Sequence, residues 1–311
     1  MSFDVSIIAT VYNKAEYLPA TIQSLLNQLE NNDLKIEIIL VDDNSTDDSV
    51  KIIQENIKDN KDVSLITNKE NKGPSIRVNQ TAEKAKGKYL HFIDGDDIMP
   101  KNCTNALFKI MEKTTADFLY GEYEKTKTTG DKLLDKKIKD GKMTYTASNS
   151  PLHIIQTGGF ARMNLMTTKD CFEKAGGCDS LVFIQDESLP IRLAAHAKKA
   201  IKLKEIIAYV PKTKDDNLSN NKPQQNHDRF FSYYNFWHQS PKEAKAIENY
   251  VYRKMVGSYW KYLRDHSMYN ALSTKAFWWY LNSKAPTAKF NKLIVDQIHH
   301  FFKNVEDVRR I

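Results

Sequence analysis

The first third of the chain carries four short apolar runs that alternate with amphipathic segments. The runs are rich in β-branched and aromatic residues, which is typical of buried strands, and they cover residues 5–11, 36–41, 63–67 and 89–93. Between the first two runs, apolar residues recur at helical spacing at Leu18, Ile22, Leu25, Leu26 and Leu29. Strands that alternate with helices predict an α/β fold with a doubly wound, mostly parallel sheet.

Two further helices are predicted in this region from the residues at their ends. Ser45 is followed three residues later by Asp48, which predicts a capping box at the start of the second helix. A third helix is predicted over residues 75–86, where Gly87 ends it. These helices supply the long connections that neighbouring parallel strands require.

The pattern is less regular in the middle of the chain. Residues 125–142 are rich in Lys, Asp, Thr and Gly, which predicts an exposed loop or hairpin. Strands are predicted over residues 160–167 and 201–210. A helix is predicted over residues 186–196, directly after the strand-like residues 181–184.

The chain is predicted to divide near residue 210. Residues 1–210 contain the predicted sheet, whereas residues 211–311 combine a polar loop over 212–227 with a basic helical region dense in aromatic residues. Three roles stay open for these aromatic residues: core packing, a face that contacts a membrane surface, or part of a substrate site.

The net charge of +7 is unevenly distributed along the chain. Residues 198–311 hold 21 Lys and Arg against 10 Asp and Glu, whereas residues 1–197 hold 25 against 29. The positive excess predicts an anionic partner for the C-terminal part, such as an anionic membrane surface. The alternative is a solvated helical face. Nucleic acid is not predicted as a partner, because no nucleic-acid-binding motif accompanies the charge.

Cysteine content and apolar runs bear on the compartment. The chain has three cysteines and no Cys-x-x-Cys pair, which argues against a disulfide framework or a zinc site and fits a reducing cytoplasm. No secretory signal is recognised at the N-terminus, and no run approaches the roughly 18 apolar residues that a membrane span needs. We therefore expect a cytoplasmic protein that is soluble or attached peripherally to the inner face of the membrane.

Polar loops follow the first, second and fourth predicted strands, at residues 10–13, 42–46 and 94–97. The carboxyl ends of parallel strands share one edge of a sheet, so these loops are expected to converge there. Tyr12 can stack on a base, and Asp43 can accept a hydrogen bond from a nucleobase N–H. Three carboxylates within residues 94–97 repel one another unless a cation neutralises them, and oxygen ligands favour Mg²⁺ or Mn²⁺. Each loop alone is also typical of an ordinary turn or helix cap.

As an ordered set, these motifs resemble glycosyltransferase family 2, whose members have the GT-A fold. The resemblance covers about residues 4–210. It rests on VSIIATVYN at 5–13, VDDNSTD at 41–47, NKGPSIRVN at 71–79 and FIDGDD at 92–97. A later segment, QDESLPIRL at 185–193, resembles the acidic motif that carries the general base in this family. The expected architecture is therefore a GT-A type α/β sheet followed by a C-terminal helical extension.

The resemblance also implies roles for residues of the first four motifs. A uridine-type base and ribose would be held by residues of the first two motifs, which are Thr10, Tyr12, Asn13 and Asp43. Arg77 would lie near the diphosphate or brace its loop. Asp94 would contact the ribose or the sugar, and Asp96 would ligate Mn²⁺ or Mg²⁺.

Two positions depart from the family pattern. Asp186 would be the general base, but the family has Glu immediately before it and this chain has Gln185. The family often has a His in the loop after the last strand, and residues 209–219 contain none. His227 is the nearest candidate for contact with the metal ion or the diphosphate. The alternative for His227 is a surface position at the start of a helix.

The implied activity is inverting transfer of a sugar from a UDP-sugar or similar donor to an acceptor hydroxyl, in the synthesis of surface polysaccharide or lipopolysaccharide. One carboxylate on the attacking face takes the acceptor proton, and a divalent cation stabilises the leaving diphosphate. The implied partners are a nucleotide-sugar donor and a saccharide or lipid-linked acceptor. The alternatives are a catalytically silent nucleotide-sugar-binding module and a sugar-nucleotide pyrophosphorylase. The latter is expected to begin with a Gly-rich phosphate loop, and residues 8–14 contain no glycine.

Overall fold

The computed structural model describes residues 3–30, 33–127, 131–138, 143–157, 163–211, 220–266 and 274–310. Within them lie eight strands, which are β1 (Phe3–Val11), β2 (Ile36–Asp42), β3 (Val63–Thr67), β4 (Gly87–Asp94), β5 (Phe118–Thr126), β6 (Tyr145–Ser148), β7 (Leu165–Thr168) and β8 (Ala200–Pro211). They form one sheet in the order β3-β2-β1-β4-β7-β5-β8-β6.

The sheet is parallel in its first half and mixed in its second. Strand β1 pairs in parallel with β2 and β4, and β2 pairs in parallel with β3. Strand β7 is antiparallel to both β4 and β5, β8 is parallel to β5, and β6 is antiparallel to β8. The predicted strand over 160–167 corresponds to β7, although residues 160–162 lie outside the described residues.

Helices cover both faces of the sheet. One core cluster joins β1 to α1 (Leu18–Leu26), α2 (Ser49–Ile57) and α4 (Cys103–Thr114). The other joins the opposite face to α3 (Pro74–Lys84), α7 (Lys169–Lys174) and α8 (Gln185–His196). Neighbouring residues of β1 belong to different clusters because side chains alternate along a strand. Two shorter helices, α5 (Asp131–Leu134) and α6 (Pro151–Thr157), lie in the middle of the chain.

The C-terminal part is helical, with α9 (Lys222–Gln239), α10 (Pro241–Ala246), α11 (Glu248–His266), α12 (Lys275–Ser283) and α13 (Lys292–Lys303). Many of its aromatic side chains are buried, including Phe230, Phe236 and Phe302, in the same core cluster as α3, α7 and α8. Core packing is therefore confirmed as the role of these three residues. The mostly parallel α/β sheet with a C-terminal helical region is also as predicted.

The predicted capping box at Ser45 is wrong. Helix α2 begins at Ser49, and its N-cap residue, Asp48, makes no side-chain capping hydrogen bond. The Ser45 hydroxyl instead accepts a hydrogen bond of 2.9 Å from the backbone N–H of Asn13. A partner in the neighbouring loop has replaced the local cap, which sequence spacing alone does not reveal.

Two other local predictions differ from the structure. Residues 181–184 belong to no strand of the described sheet, and the carbonyl of Phe183 accepts from the hydroxyl of Ser75 at 3.1 Å. The polar segment 212–227 is not a loop throughout: residues 212–219 lie outside the described residues, and α9 begins at Lys222. The Asn221 side chain caps α9 by accepting from the N–H of Gln224 at 3.0 Å, so these polar residues begin a helix.

Candidate active site

The register of the parallel strands brings three polar loops together. Thr10 of β1 is paired with Asp94 of β4, and Val11 of β1 is paired with Asp42 of β2. The N–H of Gly95 donates to the carbonyl of Thr10 at 2.9 Å. The loops after β1, β2 and β4 therefore meet at one edge of the sheet, as the sequence predicts.

The first two loops hold each other through side-chain contacts with the backbone. Asn13 has a left-handed backbone with φ of 52°, a conformation that Asn tolerates better than most residues. Its side-chain oxygen accepts from the N–H of Thr46 at 2.8 Å, while its own N–H donates to the Ser45 hydroxyl. Asn13 thus fixes the position of the loop that carries Tyr12.

The buried carboxylate of Asp43 organises the loop before α3. It accepts from the N–H of Lys72 at 2.9 Å, from the N–H of Gly73 at 2.7 Å and from Nε of Arg77 at 2.5 Å. A carboxylate has about four acceptor positions, so capacity remains for one more donor. Asp43 therefore has a structural role whether or not a base N–H also binds to it.

The guanidinium of Arg77, on α3, is buried and surrounded by acceptors from the loop after β2, the loop before α3 and α3 itself. Besides Asp43, Nη1 donates to the side chains of Asn68 and Gln80, both at 2.9 Å, and Nη2 donates to the carbonyl of Glu70. The resemblance implies either a diphosphate contact or a bracing role for Arg77. These contacts favour the bracing role.

The three carboxylates within residues 94–97, at the end of β4, have different partners. Asp94 accepts from Nε2 of Gln185 at 2.9 Å, and Asp97, which is buried, accepts from Nδ2 of Asn164 at 3.0 Å. The third, Asp96, lies 2.5 Å from the ammonium of Lys14. Asp94, Asp96 and Asp97 thus each have a partner of their own, and the partner of Asp96 is a cation.

The loop of residues 94–97, called the acidic loop below, is a candidate metal site. Within the described residues, no group of three or more His, Cys, Asp or Glu side chains is arranged to hold a metal ion. Asp96 presents a partly exposed carboxylate. Mg²⁺ commonly binds one or two carboxylates together with substrate phosphates, and Asp96 fits that mode of binding rather than a site built from protein ligands alone.

His227 lies inside α9 and is buried. Its Nδ1 is 2.8 Å from Oδ1 of Asp228, and its ring centroid is 4.7 Å from that of Phe231. The alternative of a surface histidine is therefore wrong, because the helix buries this face against aromatic residues. Contact of His227 with a metal ion or diphosphate stays a prediction.

Helix α8 begins at Gln185, so Asp186 and Glu187 lie in its first turn, as predicted for the helix that carries the candidate base. Glu187 forms a bidentate ion pair with Arg229, at 3.0 Å from Nε and 2.5 Å from Nη2. Burial lowers the pKa of Arg229 and the Glu187 carboxylate raises it, with a net rise. Arg229 thus neutralises Glu187.

Gln185 links the acidic loop to α8, the helix that carries the candidate general base Asp186. Its Nε2 donates to Asp94, while its Oε1 is buried and has no hydrogen-bond partner within the described residues. A Glu at this position would place a second carboxylate against Asp94, which like-charge repulsion disfavours. The substitution noted in the sequence therefore adds a hydrogen bond as well as removing a charge.

Asp228 is a site residue that the sequence did not reveal. It is buried and accepts from the N–H of Ile184, from Nε2 of Gln224 and from Nδ1 of His227, each at 2.8 Å. It therefore holds the residue before α8 against α9. A second link joins Asp179 to Asn235 at 2.8 Å. The signal in the sequence is the polar start of α9, which also resembles a loop.

A family model and several known proteins match part of this chain in sequence. The family model described as Glycosyl transferase family 2 matches residues 6–177, more than half of the chain. An uncharacterized glycosyltransferase of Haemophilus influenzae is 39% identical over 119 residues, which are 38% of this chain and 46% of the relative. WfaP of Escherichia coli, named UDP-Glc:alpha-D-GlcNAc-diphosphoundecaprenol beta-1,3-glucosyltransferase, is 38% identical over 119 residues, 38% of this chain and 45% of the relative. The matched region spans less than half the length of either relative.

Two solved structures share the fold. TarS 1–349 of S. aureus, in complex with UDP-GlcNAc, has a TM-score of 0.64 at 16% identity, covering 90% of this chain and 79% of that one. The mannosyltransferase PcManGT from Pyrobaculum calidifontis, in complex with GDP-Man and Mn²⁺, has a TM-score of 0.57 at 13% identity, covering 98% and 89%. The predicted GT-A type fold is confirmed by these similarities.

Replacement of Asp228 by Ala is expected to lower the free energy of unfolding by about 3 kcal/mol, because three buried donors lose their acceptor. Urea unfolding followed by circular dichroism measures the change. Asp265→Ala is the matched control, since it removes an Asp from a pair at the surface with Arg264 and should cost less than about 1 kcal/mol. Equal stability of the two variants would contradict the role of Asp228.

Proposed function

Because the chain belongs to glycosyl transferase family 2, we propose that it transfers a sugar from a UDP-sugar to an acceptor hydroxyl with inversion. The observation that carries the proposal is the hydrogen bond between Gln185 and Asp94. It joins the acidic loop, where the donor is expected, to the first turn of α8, where the base is expected. WfaP is named for a UDP-glucose donor and TarS was solved with UDP-GlcNAc, which supports a uridine nucleotide.

The donor nucleotide is proposed to lie along the loops after β1 and β2. Tyr12 stacks on the base, Thr10 and Asn13 line the same edge, and Asp43 uses its remaining acceptor capacity for a base N–H. The sugar is proposed to lie beside Asp94. Oε1 of Gln185, which has no hydrogen-bond partner in the described parts of the chain, supports this placement, because an unsatisfied buried acceptor favours a hydroxyl donor from a substrate.

Asp96 is the proposed ligand for Mn²⁺ or Mg²⁺ that arrives with the donor diphosphate. When bound, the ion supplies positive charge to the leaving diphosphate. The Lys14 ammonium neutralises Asp96 in the protein alone, so the ion has to compete with a cation 2.5 Å away. PcManGT was solved with Mn²⁺, which supports the choice of metal.

Asp186 is the proposed general base. Its place in the first turn of α8 lets the helix dipole favour the ionised carboxylate. Asp186 takes the proton of the acceptor hydroxyl as the oxygen attacks the anomeric carbon. The bond from that carbon to the diphosphate oxygen breaks on the opposite face, so a single displacement inverts the configuration.

The acceptor is proposed to be a saccharide on a lipid carrier in the synthesis of surface polysaccharide, with the protein held at an anionic membrane surface. None of the helices in the described ranges is long and apolar enough to cross a bilayer. Helices α12 and α13 nevertheless expose Trp278 (59%), Leu281 (40%) and Leu293 (67%). Lys275, at the start of α12, and Lys284, at its C-cap, flank Trp278 and Leu281 in the sequence. This arrangement is suited to the interface of an anionic bilayer.

Asp96→Ala is expected to abolish sugar transfer and to remove the effect of Mn²⁺ on UDP affinity, because the proposed ligand is lost. The test is release of UDP from a panel of UDP-sugars, with UDP affinity measured by calorimetry with and without Mn²⁺. Asp135→Ala removes an exposed carboxylate that also pairs with a Lys and serves as the control. Unchanged metal dependence in Asp96→Ala would refute the assignment. UDP binding by the wild type without transfer or hydrolysis of any sugar would favour the silent binding module.

Asp186→Asn is expected to lower kcat by about two to four orders of magnitude, because Asn cannot accept the proton. Its melting temperature and UDP affinity should stay near those of the wild type, because Asn is isosteric and the base faces the acceptor. Near-normal turnover would move the role to another carboxylate. Glu187→Gln tests that alternative, since it breaks the pair with Arg229 and is expected to lower stability as well.

The double variant Trp278→Ser, Leu281→Ser is expected to sediment several-fold less with phosphatidylglycerol vesicles than the wild type, because it loses the exposed apolar face of α12. Binding of the wild type should also fall as salt rises, since the Lys side chains contribute through charge. Tyr123→Ser alters a residue of β5 with 39% exposure and is the control. Absence of wild-type sedimentation at low salt would exclude a membrane role for this face.

A further inference from the structure

The segment that follows α13, residues 304–310, returns to the candidate active site. Val305 is buried, and Val308 packs against the core cluster that contains α8 and α9. Arg310 holds the turn of this segment, because its Nη2 donates to the carbonyl of Lys303 at 2.9 Å and to that of Val305. The path of the segment is thus fixed by both apolar and polar contacts.

Arg309 is locked to α9 through its backbone. Its N–H donates to Oε1 of Gln224 at 2.7 Å, and its carbonyl accepts from Nε2 of the same side chain at 3.1 Å. Gln224 is fully buried and also donates to Asp228, which holds the start of α8. The backbone of Arg309 is therefore positioned by the same group of residues that positions the candidate base helix.

The side chain of Arg309 lies near both the loop after β1, which carries Tyr12, and the segment before α8, which carries Phe183. Its guanidinium carbon is 5.9 Å from the ring centroid of Tyr12 and 5.6 Å from that of Phe183. The Phe183 ring also covers Gly73, where a Cβ would lie 2.6 Å from it. Arg309 thus stands beside both the proposed base-stacking residue and the loop that Asp43 organises.

Three other cations near these loops already have acceptors. Arg77 is bound by Asp43 and by the loop before α3, Lys14 by Asp96, and Arg229 by Glu187. The guanidinium of Arg309 has the two aromatic rings as neighbours and no hydrogen-bond acceptor among the residues that the structure describes. Aromatic faces attract a cation weakly, so its N–H donors are available to an anion.

We propose that the guanidinium of Arg309 binds the diphosphate of the nucleotide donor, which makes segment 304–310 part of the donor site. This assignment rests on the proposed nucleotide-sugar donor. A guanidinium presents paired N–H donors that match two phosphate oxygens, and such charge-assisted bonds are stronger than neutral ones. Arg309 supplies a positive charge that the residues of the sheet edge, already paired with one another, do not.

The test measures inhibition constants of UDP and of uridine in competition with a labelled UDP. Arg309→Ala is expected to weaken UDP about tenfold to one hundredfold and uridine less than about twofold, because uridine lacks the phosphates. Arg309→Lys should recover part of the loss, since it keeps the charge and loses the paired donors. Lys303→Ala removes the same charge from the neighbouring turn and should leave both constants unchanged.

Each contrary outcome identifies which idea fails. If the wild type binds UDP and Arg309→Ala binds it equally well, Arg309 has no donor contact, although the proposed function stands. Tighter UDP binding by Arg309→Ala would mean that the side chain obstructs the site, and this also overturns the inference. An equal loss for UDP and uridine would assign Arg309 to the base rather than the diphosphate. If the wild type binds no nucleoside diphosphate, the proposed function fails and the inference fails with it.

Discussion

Parallel pairing of β1 with β2 and β4 forces several carboxylates into one small region, and the rest of the site depends on how their charges are satisfied. Each acquires its own partner: Arg77 and two backbone N–H groups for Asp43, Gln185 for Asp94, Lys14 for Asp96 and Asn164 for Asp97. A buried carboxylate without such partners is costly, so the partners have to be delivered by the fold. They come from four separate parts of the chain, and this ties the loops to α3, α8 and β7.

The C-terminal helices also supply partners to polar groups around α8. Helix α9 contributes Asp228 to the backbone before α8, Arg229 to Glu187 and Asn235 to Asp179. Because α9 is in turn packed in the core with α11 and α13, the orientation of α8 depends on residues far beyond the sheet. A division of the chain near residue 210 describes its composition well. The hydrogen bonds of α9 with residues 179–187, however, join the two sides of that division.

The sequence predicted the parts of the fold that local pattern determines. The β-branched runs gave the parallel strands, and the polar residues that follow them gave the converging loops. Predictions failed where a distant partner decides the structure. Ser45 binds the neighbouring loop through Asn13 instead of capping α2. The start of α9 is polar because Gln224 and Asp228 bind groups of other segments, and in the sequence such residues resemble a loop. The pairing of Lys14 with Asp96 had no sequence signal at all.

The two adjacent acids of α8 show how a partner from another helix gives a carboxylate a structural role. Both lie in the first turn and both gain from the helix dipole, so sequence position does not separate them. Glu187 receives two hydrogen bonds from Arg229, and proton uptake there would break a partly buried ion pair. That penalty makes Glu187 a poor base and a good anchor for α8. Asp186, the proposed general base, lies in the same turn, and its helix is joined through Gln185 to the loop that is proposed to hold the donor sugar.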